Sequence, residues 1–389
     1  MSAAAPGIGV YVHWPYCRRV CPYCDFNVAR ARGREAEGAA LAEALVADLI
    51  AQAGRLGRRS LVSVFFGGGT PSLMAPDLVA RMVATAAAAF PPSGPVEVAL
   101  EANPADASAP ALEAFAAAGV NRLSLGVQSL SDGDLRFLGR DHDAAVARAA
   151  ARRAAAIFPR LSVDLIYALP GQDVGAWREQ LQAALLLGAE HVSAYQLTIE
   201  PGTAFGARVR RGALAPADTE SAAALFETTQ QVLSAAGFEA YEISNHARDE
   251  EARCRHNLHA WRGGEYLGVG PGAHGRIDLA GERCATLAPR RGADYIAAAH
   301  RGGGAAVIEP LTVEQRALER LAMGLRTLEG VALVDLAALG PDAEDLEALA
   351  AHRLVAVAGG RLTLTAPGRL VADAVAARIA GGGRLAEAA

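Results

Sequence analysis

Three cysteines, Cys17, Cys21 and Cys24, follow a short apolar run at the spacing C-x3-C-x2-C. Packed into one loop, their thiolates can ring a single metal centre, and iron–sulfur clusters are held by cysteine sulfurs at spacings of this kind. Two other readings use the same residues. Cys21 and Cys24 alone could be a redox pair, and His13 could complete a four-ligand zinc site with the three thiols. A cubane [4Fe–4S] cluster uses all three cysteines and leaves one iron open to a small molecule. Other residues suit such a molecule. Gly67–Gly69 follow an apolar run and let backbone approach a ligand closely. Glu101 and Asp164 can accept hydrogen bonds from an ammonium and from ribose hydroxyls, and Arg140 can pair with a carboxylate. An amino acid joined to a nucleoside satisfies the set. The chain contains no lysine, all 37 basic residues being arginine. Schiff-base chemistry and a Walker-type phosphate lysine are therefore excluded.

These residues need elements to hold them. Apolar runs at 8–13, 61–66, 96–100, 122–127, 161–168 and 191–197 predict six strands, alternating with helices over about 200 residues. The strands read as too apolar to face water on either side, which predicts a parallel sheet in βα units. The cysteine loop, Gly67–Gly69, Glu101 and Gln128 fall at strand C-terminal ends, and Asp164 lies within its strand. In (βα) barrels that end carries the chemistry. The predicted fold is therefore α/β, a partial (β/α)6 TIM-like barrel. Residues 1–240 would form the barrel core. Residues 241–304 would extend it, with a strand at 240–243 and a helix after Pro289 running into the flexible Gly302–Gly304 link. Residues 305–389 would form a winged-helix-like α+β domain. It would open at Thr312 and Gln315, which have capping-box spacing, turn a hairpin at Gly359-Gly360 and end in one helix over 366–379.

The 389 residues are 52% hydrophobic and 20% charged, enough for a large core. Net charge is −5 and the isoelectric point about 6.0, which argues against nucleic acid as a partner. Arg208, Arg210 and Arg211 read as a solvated loop. The first residues show no basic segment followed by an apolar stretch, and five cysteines, three of them clustered, argue against a disulfide framework. A cytoplasmic location is expected.

The cysteine loop, Gly67 to Ser72, Leu100 to Pro104, Ser124 to Ser129, Leu138 to His142 and Asp164 to Gln172 together resemble the radical S-adenosylmethionine family. The most similar branch holds the oxygen-independent coproporphyrinogen III oxidases and the HemW-type haem chaperones. The resemblance implies that S-adenosylmethionine chelates the open iron. Tyr11, Tyr23, Gly68, Gly69, Thr70, Glu101, Gln128, Arg140 and Asp164 would line its pocket. In the family, a reduced cluster donates an electron that splits the cofactor's C–S bond. The oxidase carries a further cysteine two residues after the last ligand, where this chain has Phe26, and a longer segment ahead of the cluster than the sixteen residues before Cys17. Both departures favour the chaperone. His256, Asn257 and Trp261 resemble the chaperone's HN-x-x-YW motif, with Ala260 in place of tyrosine. Imidazole is a good axial ligand for haem iron, so His256 is the expected haem ligand and Trp261 a flat apolar face. The resemblance further implies delivery of haem to acceptor proteins such as membrane respiratory enzymes, and a homodimer. Oxidative decarboxylation of coproporphyrinogen III is the enzymatic alternative.

Overall fold

A computed structural model describes residues 5–302 and 304–381. Six strands, β1 (Gly7–Trp14), β2 (Ser60–Gly68), β3 (Glu97–Ala102), β4 (Arg122–Gln128), β5 (Leu161–Tyr167) and β6 (His191–Gln196), pair in sequence order, all parallel. The connecting helices are fixed by local chemistry. Ser108, Asp143 and Asp173 each accept a backbone N–H as N-caps. The helix Ala144–Ile157 buries Ala147, Ala150, Ala151 and Ala154, a small-residue stripe that lets it lie close on the sheet. The short helix Asp132–Phe137, capped by Ser131, was not expected from the sequence.

One expectation is corrected. The strands are apolar only on the face under the helices, as with Ile8, Val10 and Val12 in β1. The alternate positions face the barrel interior and are largely polar: Ser63, Glu97, Glu101, Arg122, Ser124, Ser162, Asp164, His191 and Ser193. Buried polar groups are affordable because they satisfy one another, Ser124 and Ser162 both donating to Asp164.

The barrel stays open as part of a 12-stranded sheet. Beyond β6 lies Asn245–Ala247, antiparallel, followed by Glu239–Ala240. Of the strand expected at 240–243 only Ala240 lies in a strand, and Asn245–Ala247 forms a separate piece. Glu242 interrupts the run by accepting from the Ser244 N–H and from Asn245 Nδ2, which turns the chain. Beyond β1 lies Glu265–Val269, parallel, and then the antiparallel strands His274–Leu279, Glu282–Leu287 and Val307–Pro310. These four were not foreseen. Gly268 and Gly275 break any alternation, and they are required because a Cβ on Gly268 would sit 2.1 Å from the His274 carbonyl oxygen. The helix Gly292–His300 follows as expected; the link beyond it falls partly outside the described residues.

The C-terminal unit has its own core of Leu318, Leu321, Val331, Leu336, Leu362, Val375 and Ile379. Its first helix, Val313–Gly324, carries the Thr312/Gln315 capping box. A three-stranded antiparallel sheet turns at Gly359 and Gly360, at φ of +56° and +72°. The single final helix expected from sequence is two, Ala366–Leu370 and Ala372–Ile379. Val371, at φ of −125°, leaves the helical region and divides them.

Candidate functional site

A cavity of about 510 Å³ opens at the C-terminal ends of the strands and reaches into the polar interior. The cysteine loop forms its rim. Cys17, Cys21 and Cys24 all line it, all are free thiols, and the Cys24 N–H donates to the Cys21 carbonyl at 3.2 Å. The loop is held at its base, where Gly69 N–H donates to Trp14 O (2.7 Å) and Thr70 N–H to Tyr16 O (3.0 Å). Burial pushes the Cys17 thiol up and the Cys24 thiol up to about 11. A positive centre would offset that by favouring thiolate. Arg140 adds charge at the same place, its Nη1 donating to Cys21 Sγ at 3.4 Å. Its Nη2 donates to Asn103 Oδ1 (2.7 Å) and Gly126 O (3.2 Å). Among the described residues no three His, Cys, Asp or Glu side chains stand placed to hold a metal ion. What fits a thiolate-ligated cluster is the donor set: three free thiols on one cavity rim, with a guanidinium beside one of them.

Behind the rim, Gly68 sits at φ of +107°. Its N–H donates to Glu101 Oε2 at 3.2 Å, and a Cβ there would lie 2.6 Å from the His13 ring. Only glycine fits. Burial, and then the neighbouring Asp164 carboxylate, pushes Glu101 up to about 8; burial also raises Asp164. Two carboxyls in one cavity form a natural receptor for an ammonium or for hydroxyl donors. Gln128 and Ala168, where β4 and β5 end, adopt φ of +64° and +60°. For residues other than glycine this costs about 1–2 kcal/mol each, and at Gln128 it turns the backbone at the cavity wall.

Of the residues expected to line the pocket, Tyr23, Gly68, Gly69, Thr70, Glu101, Gln128, Arg140 and Asp164 do. Tyr11 does not. It lies one layer deeper, its hydroxyl 3.1 Å from His13 Nδ1 and its ring stacked on Phe65. His13 is not free for a metal either, since its Nε2 donates to Asn27 O at 2.9 Å.

His256 also lies below the cavity. The helix Arg255–Trp261 plugs the lower barrel, and Glu97 accepts from the N–H groups of Arg255 and His256. The His256 ring stacks on Phe65 (5.1 Å between centroids), and its Nδ1 is 2.8 Å from Ser63 Oγ. It is 7% exposed, and burial lowers it to about 4. Trp261 is half-buried against Tyr241, Ala247, Ala252 and Leu258. Cys254 and Asn257, by contrast, reach the cavity floor beside Arg122 and His191. Arg122 and His191 on this floor, with Asn103, Ser124, Ser162 and Ser193, were missed from sequence. The signal was present as polar residues at alternate positions of otherwise apolar strands.

Among known proteins, residues 11–183 match the Radical SAM superfamily model and residues 311–371 the HemN C-terminal domain model. The chain is 45% identical to the mitochondrial Radical S-adenosyl methionine domain-containing protein 1 of Bos taurus, over 85% of this chain and 76% of the relative. It is 38% identical to the heme chaperone HemW of Escherichia coli (strain K12), over 70% of this chain and 71% of the relative. The solved coproporphyrinogen III oxidase (HemN) of Escherichia coli superposes with a TM-score of 0.80, covering 97% of this chain and 90% of that one. At 21% identity this likeness concerns the fold.

Proposed function

This chain belongs to the radical SAM superfamily and is of the HemW type, and on that premise we propose that it binds haem and passes it to acceptor proteins. Cys17, Cys21 and Cys24 hold a [4Fe–4S] cluster in this reading. Gly68, Gly69, Thr70, Glu101, Gln128, Arg140, Asp164 and Tyr23 surround S-adenosylmethionine. When bound, the pair supplies one-electron cleavage of the cofactor's C–S bond. The protein's own residues do the positioning. Arg140 steadies the Cys21 sulfur, Gly68 leaves room for the ligand, and Glu101 with Asp164 takes its ammonium and hydroxyl groups.

The observation that carries the haem half is the 38% identity to a heme chaperone. Phe26, 65% exposed on the cavity rim where the oxidase has cysteine, supports the chaperone over the decarboxylase. Acceptors such as membrane respiratory enzymes, a homodimer and a cytoplasmic location remain parts of the proposal. The free thiols fit a reducing compartment, and among the described residues no helix is long and apolar enough to cross a membrane. Haem titration of reconstituted protein, run beside a coproporphyrinogen III decarboxylation assay, tests the reading. Stable haem binding without decarboxylation is expected. Decarboxylation without haem binding would overturn the proposal in favour of the oxidase.

A further inference from the structure

A second, smaller cavity of about 240 Å³ lies outside the barrel, between the motif helix Arg255–Trp261, the strands 265–287 and the helix Val313–Gly324. Ala260 forms part of its wall, at the position where the HN-x-x-YW motif has tyrosine. Tyr266 and Met323 supply an apolar side, and four arginines surround the rest: Arg276, Arg283, Arg316 and Arg320.

Three of these are engaged. Arg276 forks onto Glu319, its Nε donating at 2.8 and 3.0 Å. Arg283 donates to Gly263 O and Gly264 O, both at 2.9 Å, and pairs with Asp278 at 3.4 Å. Arg320 donates to Trp261 O at 2.9 Å and pairs loosely with Asp335 at 3.5 Å. The Arg316 side chain makes no ion pair or hydrogen bond among the described residues. Four guanidiniums thus meet two carboxylates within the lining, Glu319 and Asp278, and one guanidinium has no counter-charge. Arg316 is exposed and its guanidinium is free to turn onto an anion, and guanidinium forks suit carboxylates.

We propose that this cavity receives the propionate edge of haem, with the macrocycle lying outward over Tyr266 and Met323. The ligand class rests on the haem reading above; the location rests on the arginines and the space beside Ala260. At about 240 Å³ the cavity takes one edge of a tetrapyrrole and leaves the rest exposed for transfer to an acceptor. The assignment also explains how haem can be held while His256 stays engaged with Ser63 inside the barrel.

The test titrates haem and haem dimethyl ester, which lacks the free carboxylates, into the cluster-loaded full chain and follows Soret absorbance. Haem is expected to bind about tenfold more tightly than the ester. Arg316→Glu should weaken haem about tenfold and leave the ester unchanged. Ala260→Tyr, which fills the cavity, should weaken both; if that variant does not fold, the ester and Arg316→Glu decide. Haem and ester binding equally well, or both variants binding haem like the parent chain, would reduce the cavity to a packing void and leave the haem reading standing. Failure of the parent chain to bind haem at all would overturn both.

Discussion

At the scale of single residues, Glu101 is the side chain whose environment most contradicts its ordinary behaviour. Its folded-state value, about 8, lies above the usual 4.5, so the ligand-free fold prefers it protonated. That contribution is complete below pH 4.5 and is lost as pH rises towards 8. Thermal unfolding of the ligand-free protein should therefore weaken between pH 5 and 8 by up to a few kcal/mol, reduced by solvent reaching this half-buried group. Glu101→Gln should flatten the profile and lower S-adenosylmethionine affinity in equilibrium binding; an unchanged slope would contradict the carboxyl-pair account. His256 makes the opposite case. Sequence makes it the expected haem ligand, and in the fold its ring packs on Phe65 and meets Ser63 within the barrel plug. His256→Ala should cost about 2–4 kcal/mol in denaturant unfolding, by removing a buried ring and one partner of Ser63. Loss of haem binding with unchanged stability would instead restore it as a ligand.

At the scale of elements, the six parallel strands and most of their helices could be read from apolar periodicity and caps. The rim residues could be read because chemistry concentrates where such strands end. The interior could not be read as cleanly. Its polar lining occupies every second position of strands that look uniformly buried, and burial of a serine or carboxylate is licensed only by partners on other strands. The strands over 265–310 left little trace, since glycines there serve backbone approach and not alternation. The β2-to-helix turn shows the same logic at one residue. Gly68→Ala should destabilise the chain by about 2–3 kcal/mol through its positive φ and the contact with His13. It should also lower S-adenosylmethionine affinity, measured calorimetrically; full retention of both would remove the turn from the site.

At the scale of the whole molecule, the C-terminal unit is fastened to the barrel by charge. Arg326 pairs at 2.6 Å with the fully buried Glu242, and Arg369 donates to the carbonyls of Ala240 and Glu242. Arg326→Ala leaves a buried carboxylate without its cation and should cost on the order of 2–4 kcal/mol, discounted for the partly exposed arginine. Calorimetry should then resolve two unfolding transitions where the parent chain shows one. The module itself was legible from its capping box and hairpin glycines; its attachment was not, because ion pairs between distant segments leave no periodic mark. The pairing of β1 with Glu265–Val269 has a consequence for biosynthesis. The cysteine loop is latched by Asn27, whose side chain donates to Pro271 O and Arg290 O. A ribosome emits the cysteine loop first and its latch some 240–260 residues later. At about 5–20 residues per second, the nascent thiols spend on the order of ten seconds or more without that closure. Under the proposed function, cluster loading thus has a time window written into the order of the chain.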